Sequence, residues 1–215
     1  GDVKKVVTDK NTYETRTIII ATGAVHRKAG IPGEAEFTGK GVSYCATCDG
    51  AFFKNKVAAV VGGGDVAVED AIYLARMCSK VYLIHRRDEF RAAKSIVNKA
   101  RNTENIEFIL DSTVENIEGG AKVSSIQIKN KKTGEIIEKL VDGVFFAVGM
   151  QPVTAFVDER IARDEAGYIV AGEDCRTNID GVYAAGDIRT KTLRQIITAA
   201  ADGANAVTSV ERYIG

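Results

Sequence analysis

Apolar residues recur along this chain with two periods, and the middle of the sequence is the clearest. KVAAVVG at residues 56–62 is apolar without interruption, the pattern of a strand covered on both faces in a parallel sheet. Gly62-Gly63-Gly64 makes a turn. Residues 65–77 then read as a helix, with Val66, Ile72 and Met77 among its apolar positions and Glu69 and Asp70 in its polar part. KVYLIHRR at 80–87 is the next strand and 92–101 a second helix. Residues 106–110, 123–130 and 135–149 read as further strands, with KKTG as a hairpin turn. The pattern is a βαβ nucleotide-binding unit carrying a meander.

The flanking segments are less complete. The start reads as two strands joined by a polar DKN turn, the second running apolar through 17–20 into Ala21-Thr22-Gly23. Residues 30–41 are loop-like. After Pro152 the chain is polar and irregular to about residue 170. VYAAGDI at 182–188 then reads as a strand ending in Gly-Asp, and 192–214 as a long helix with small residues in its middle. Residues 1–27 and 151–215 each look like half of a sheet whose nucleating strand–turn–helix is not among them.

Composition narrows the function classes. The 215 residues allow a substantial core in one large or two small domains. Lys+Arg and Asp+Glu both number 29, which argues against a broad nucleic-acid footprint. No uncharged apolar stretch approaches a membrane span, and the start has no signal-peptide core. Four cysteines are too few for a disulfide scaffold, so a reducing compartment, the cytoplasm, is expected.

Two motifs carry chemistry. Gly62, Gly64 and Ala67 fit G-x-G-x-x-G/A between a strand and a helix, the context in which the motif cradles a dinucleotide pyrophosphate at a helix N-terminus that opens with Asp65. Where an NADH-binding unit places an acid, this strand ends in His85, Arg86 and Arg87, with Arg91 one helical turn on. Guanidinium groups match a 2′-phosphate, which favours NADPH, although Asp88 and Glu89 could instead pair with them. The second motif is YCATCDG at 44–50. Zinc needs about four ligands and Cys78 and Cys175 form no second pair, so a metal is not expected. A structural disulfide over so short a loop removes little chain entropy. A redox dithiol is the better reading of Cys45 and Cys48, with Asp49 placed to carry a proton. NADPH delivers a hydride and thiols exchange through mixed disulfides, so a mediator such as flavin is implied between them.

The segments IATGA (20–24), CATCDG (45–50), GGGDVAVEDAIYLA (62–75), HRRDEFRA (85–92), FFAVG (145–149) and YAAGDIRTKTLRQIITAAADG (183–203) closely resemble the low-molecular-weight, bacterial-type thioredoxin reductases. The resemblance implies an α/β fold, with a Rossmann-like three-layer NADPH domain at 28–150 inserted in an FAD-binding domain. That domain is represented here by 1–27 and 151–215, without its N-terminal nucleating unit. It implies a homodimer in which NADPH reduces FAD, FAD reduces the Cys45–Cys48 disulfide, and the dithiol reduces thioredoxin. Cys48 would face the flavin, Cys45 would attack thioredoxin and Asp49 would donate the proton. Gly62, Gly64, Asp65, Ala67, His85, Arg86, Arg87 and Arg91 would bind NADPH. Thr22, Gly23, Gly186, Asp187, Arg194, Gln195 and Ile196 would contact FAD. Family members also rotate one domain against the other. With the adenine–pyrophosphate half of the FAD site not among these residues, this polypeptide alone is expected to bind flavin weakly and to be impaired as a reductase. The alternatives are a non-catalytic NADPH-binding redox module, or a related flavin-dependent disulfide reductase acting on another protein.

Overall fold

The computed structural model describes residues 3–215. Two compact units form. One is continuous, His26–Gly149, and the other combines the described residues up to Val25 with Met150–Gly215.

In chain order the first unit to appear contributes β1 (Lys4–Val7), β2 (Thr12–Thr15), β3 (Ile18–Ile20) and β4 (Ala24–His26). The continuous unit holds β5 (Val42–Ser43), α1 (Ala46–Asp49), a 3-10 turn (Gly50–Phe53), β6 (Val57–Gly62), α2 (Asp65–Ala75), β7 (Lys80–Ile84), α3 (Lys94–Arg101), β8 (Ile106–Ile109), β9 (Ser112–Gly119), β10 (Val123–Asn130), β11 (Ile136–Leu140) and β12 (Gly143–Ala147). The chain closes with β13 (Met150–Pro152), β14 (Val182–Ala184), a 3-10 turn (Gly186–Ile188) and α4 (Ile196–Ile214).

The continuous unit is a three-layer α/β/β sandwich. Its central sheet has the order β5-β12-β6-β7-β8 and every pairing in it is parallel. The uninterrupted apolar runs of β6, β7 and β12 follow from this, because both faces of the sheet are covered. Ala58, Val60, Val81, Leu83 and Phe145 pack toward α2 and α3 with Val68, Ala71 and Leu74. Their alternate neighbours Ala59, Tyr82, Ile84, Val144 and Phe146 pack the opposite way, against Val114, Ile117, Ile126 and Ile128 of an antiparallel sheet ordered β11-β10-β9. The period of two thus feeds two separate cores.

The sequence reading and the structure differ in identifiable places. The run 135–149 is two strands rather than one: β11 closes the antiparallel meander and β12 enters the parallel sheet. Val141 and Asp142 make the passage, with Asp142 N–H donating to the Val57 carbonyl at 2.8 Å. β9 escapes a period-two reading because its inward residues Val114 and Ile117 are three apart and its pairing with β10 is bulged. VYAAGDI is a strand only to Ala184. Gly186 then takes a positive φ of 78° and starts a 3-10 turn.

In the two-segment unit, β3 and β14 pair in parallel and β1 with β2 antiparallel. Its core joins Ile20, Val157, Ile161, Ile169, Val182 and Ile188. A smaller group, Cys175, Tyr183, Ala185 and Ala206, seats α4. Among the described residues no helix is long and apolar enough to cross a membrane.

Candidate functional site: a disulfide turn and a glycine turn

Ser43, the last residue of β5, is buried and its hydroxyl organises the turn that carries the cysteines. It accepts the Cys45 N–H at 3.1 Å and donates to Asp49 Oδ2 at 2.6 Å. Cys45 then caps α1, and Cys48 N–H points at Cys45 Sγ at 3.2 Å. Cys45 and Cys48 form a disulfide, with Cα atoms 5.3 Å apart. Cys48 is exposed and Cys45 partly buried. After reduction the Cys48 N–H, together with the Thr47 hydroxyl 3.4 Å from Cys45 Sγ, is placed to stabilise a thiolate on Cys45. Asp49 follows on the same turn, its N–H donating to the Cys45 carbonyl at 3.1 Å. Ser43 and Asp49 line a cavity of about 290 Å³ together with Lys40, Phe52, Lys56 and Lys122.

Gly50 fixes this redox turn to α2. A Cβ there would lie 3.1 Å from both Leu74 and Tyr73 side chains, so the approach is already close. Upstream, the Glu34 carboxylate takes the N–H groups of Ala29 and Gly30 and the Tyr44 hydroxyl, at 3.0, 2.7 and 2.7 Å. Burial pushes the Glu34 pKa up, but these donors more than offset it and the net shift is downward. The carboxylate therefore anchors the residue before Cys45.

Cys78 and Cys175 have the opposite character. Both are free and buried, and burial raises both thiols, Cys78 to about 11. Among the described residues no cluster of His, Cys, Asp and Glu gathers that could hold a metal.

The glycine turn opens α2, and its three glycines do different things. A Cβ on Gly62 would fall 2.6 Å from both the Ala67 Cβ and the Ala147 carbonyl, so this glycine lets the helix sit against β12. A Cβ on Gly63 would collide with the His85 ring. Gly64 alone faces open space, and as helix N-cap it supplies no side chain to the first amides of α2. That is the geometry of an anion cradle at a helix N-terminus, and a pyrophosphate fits it.

The basic loop is tied to this turn at two points. Arg91 N–H donates to the Gly63 carbonyl at 2.8 Å, and Ala93 N–H to Asp65 Oδ1 at 2.8 Å. Asp65 is thus occupied in holding the loop. Arg86, Arg87 and Arg91 are exposed, and among the described residues none of them enters a salt bridge. Asp88, which the sequence left as a competing partner, pairs instead with Lys132 at 3.1 Å, and Lys132 also reaches Asp111 at 2.9 Å. The guanidinium groups are therefore available to an anion. His85 sits elsewhere: it is buried under Gly63 and stacked on Phe90 with centroids 5.1 Å apart. Burial lowers its pKa, and the three arginines lower it further against a raising contact from the Glu89 backbone, so it is held neutral.

In the two-segment unit, Thr22 and Gly23 join the segments: the Thr22 hydroxyl donates to the Val153 carbonyl at 2.9 Å and Val153 N–H to the Gly23 carbonyl at 3.0 Å. The Gly186 turn presents Asp187, whose Oδ1 is buried without a hydrogen-bond partner. Arg194 Nε is likewise unpartnered, while its guanidinium stacks 3.9 Å from the Tyr168 centroid. Gln195 forms a reciprocal capping box with Thr198 at the start of α4, and Ile196 is 90% exposed. An orphaned acceptor beside a positive-φ glycine and an exposed apolar helix start suits a ligand with hydroxyl groups and a flat apolar ring, and FAD has both.

Sequence reasoning missed what holds these groups: Ser43, Gly63 as the seat of His85, and a buried cluster in which Asp202 accepts from Gly186 N–H, Arg189 and Lys191. Only Ser43, two residues before Cys45, lay close enough to its motif to be suspected.

A parallel dinucleotide-binding sandwich that carries a redox disulfide on its first helix defines a class of nicotinamide-dependent disulfide oxidoreductases. The pattern of the family described as pyridine nucleotide-disulphide oxidoreductase matches residues 1–203, and the chain belongs to that family, whose cofactors are FAD and NADPH. Among curated relatives, the thioredoxin reductase of Peptoclostridium acidaminophilum is 48% identical over 220 residues, covering 100% of this chain and 70% of the relative. That of Listeria monocytogenes is 49% identical over 225 residues, with coverage of 100% and 70%. Among solved structures, thioredoxin reductase from Streptococcus pyogenes MGAS5005 superposes with a TM-score of 0.93 at 48% identity, covering 100% of this chain and 70% of that one. The enzyme from Giardia duodenalis gives 0.89 at 42% identity, with coverage of 96% and 68%. The chain thus spans about 70% of the length of these relatives.

Proposed function

We propose that these residues serve a thioredoxin reductase, in which electrons from NADPH pass through FAD and the Cys45–Cys48 pair to the disulfide of thioredoxin. The observation that carries the reading is the Cys45–Cys48 disulfide, with Asp49 beside it, on a turn packed against the helix that opens with the dinucleotide cradle. Gly64 and the first amides of α2 hold the NADPH pyrophosphate, and Arg86, Arg87 and Arg91 its 2′-phosphate. Gly62, Asp65, Ala67 and His85 support that site from beneath. Asp187, Arg194, Gln195 and Ile196, with Gly186, Thr22 and Gly23, form the FAD side. Bound there, FAD would supply the chemistry that passes two electrons from the nicotinamide to the disulfide.

The protein's own steps are thiol chemistry. With the pair reduced, the Cys45 thiolate attacks one sulfur of the thioredoxin disulfide. A mixed disulfide forms, and the released thioredoxin thiolate takes a proton from Asp49. The Asp49 carboxylate then accepts the Cys48 proton, and the Cys48 thiolate attacks Cys45 Sγ. The intramolecular disulfide re-forms and the second thioredoxin sulfur leaves as a thiolate that is protonated in turn. Two electrons and two protons pass to thioredoxin. A homodimer in the cytoplasm belongs to the same reading, supported by the resemblance and by two cysteines that stay free.

The test is trapping. Cys48→Ser, mixed with oxidised thioredoxin after reduction, should accumulate a covalent adduct through Cys45, whereas Cys45→Ser should not. Equal trapping by both variants, or by neither, would overturn the assignment.

A further inference from the structure

The Ser43 hydroxyl has one hydrogen and two acceptor sites. Its oxygen accepts the Cys45 N–H at 3.1 Å, so its hydrogen is free to choose a partner. Two acceptors are in range: Asp49 Oδ2 at 2.6 Å and the Cys45 carbonyl at 3.4 Å. With Asp49 ionised, the hydroxyl donates to the carboxylate. With Asp49 protonated, the carboxyl O–H donates to Ser43 Oγ, and the serine hydrogen turns to the Cys45 carbonyl. Every donor is satisfied in both states and no heavy atom has to leave its place. Ser43 is only 6% exposed, which keeps its hydroxyl beside these two protein acceptors.

We propose that Ser43 is the positioning residue for the Asp49 acid, its hydroxyl turning between Asp49 and the Cys45 carbonyl as the carboxyl gives up and takes back its proton. This rests on the reading of Asp49 as proton donor given above. The proton that Asp49 passes to the leaving thiolate is the one that held it to Ser43, and the one it recovers comes from Cys48. No other redox partner enters. The cavity lined by Ser43 and Asp49 also contains Lys40, Lys56, Lys122 and Asp142, and the Asp142 carboxylate is engaged by Val57 N–H at 3.0 Å. None of these reaches the Cys45 backbone as Ser43 does, so the link between acid and disulfide runs through the serine.

The experiment is single-turnover exchange by the full chain, reduced with dithiothreitol and freed of it. Ser43→Thr and Ser43→Val are compared because they share a shape and differ in the hydroxyl. Two oxidants are used: oxidised thioredoxin, whose leaving thiolate needs a proton, and a nitro-substituted aromatic disulfide, whose thiolate leaves without one. A positioned acid contributes on the order of a hundredfold or more, so loss of its positioning should slow the thioredoxin reaction of Ser43→Val by about tenfold. Ser43→Thr should keep near-normal rates with both oxidants, and Ser43→Val should be slowed much less with the aromatic disulfide than with thioredoxin. In an Asp49→Asn background the Val substitution should change nothing further. Equal slowing with both oxidants, or an undiminished Val effect in the Asp49→Asn background, would overturn the proposal and leave Ser43 a purely structural residue. If Asp49→Asn is itself as fast as the unmodified chain with thioredoxin, the acid assignment fails first. If Asp49→Asn is slow and Ser43→Val is not, the positioning proposal alone fails.

Discussion

Replacing Asp202 by asparagine removes one charge from a site where two cations depend on it. The Asp202 carboxylate accepts Arg189 Nε at 2.9 Å, Arg189 Nη2 at 2.7 Å, Lys191 Nζ at 2.7 Å and Gly186 N–H at 2.9 Å. The Asp202 and Arg189 side chains are 4% and 3% exposed, and Lys191 7%. Burial pushes the Asp202 pKa up, but Arg189, Lys191 and Gly186 N–H together bring it down to about 2, from an ordinary 3.8. That lowering corresponds to roughly 2–3 kcal/mol favouring the ionised form in the folded protein. Removing one member of a buried ion pair costs about 3–5 kcal/mol, because the remaining charges stay buried unpaired. Glu173 cannot substitute: it lies 3.5 Å from Arg189 and is 91% exposed, so its contribution is small. The two routes converge on about 3 kcal/mol.

The assay is denaturant unfolding at several pH values, together with amide exchange at Gly186. Because the folded pKa lies below the unfolded one, the Asp202 contribution is fully present above about pH 4 and is lost as pH falls through about 2. Asp202→Asn should therefore lose about 3 kcal/mol at pH 7, or roughly 12–24 °C in the transition of its unit, which has about 90 residues. The gap to the unmodified chain should close as pH falls from about 4 to 2. Gly186 N–H should exchange faster, since its acceptor is weakened. A loss below about 1 kcal/mol at pH 7, or a gap unchanged at low pH, would refute the claim that this carboxylate neutralises the cluster.

Three further outcomes concern the continuous unit. Arg86→Ala and Arg87→Ala should each weaken NADPH binding about tenfold while changing NADH binding less than about twofold, read by fluorescence titration, because each removes a charge-assisted contact of about 1.5 kcal/mol to the 2′-phosphate. Gly63→Ala should destabilise the unit by about 1–3 kcal/mol through collision with His85, and His85→Ala in the same chain should recover most of it in thermal unfolding. Burial, and then Glu69, raise the Asp70 carboxyl to about 6, so between its ordinary 3.8 and that value the folded state binds more protons and stability falls as pH rises. Asp70→Asn should gain about 1–2 kcal/mol at neutral pH and nothing below about pH 4, by denaturant titration.

What was legible in the sequence was local. The unbroken apolar run of β6, the glycines after it and the paired cysteines announce themselves within a dozen residues, because a covered parallel strand, a tight anion-binding turn and a redox pair each demand particular residue types at fixed spacing. β9 and the break between β11 and β12 were hidden, because a bulge disturbs the period of two and because two strands in different sheets can be adjacent in sequence. The same division runs through the site. Arg86 and Arg87 could be named from their place at a strand end, but whether Asp88 neutralised them depended on Lys132, 44 residues away. His85 looked like part of the basic cluster. Its ring lies beneath Gly63, because the strand-end residue faces inward where the glycine leaves room.

The groups that exchange protons or hold charge depend on such distant or unmarked partners. Asp49 is recognisable beside a cysteine pair, yet its orientation is set by a serine whose hydroxyl could equally have served only β5. Asp187 is recognisable after its glycine, yet Gly186 is held by Asp202, 16 residues on in a helix of small side chains where an acid reads as surface. A motif advertises the atom that reacts. The partner that fixes that atom is selected by what remains unsatisfied after the chain has packed, which is a property of the fold: Asp202 is informative because two buried cations and a backbone amide converge on it, and no window of sequence shorter than the 186–202 span contains all of them.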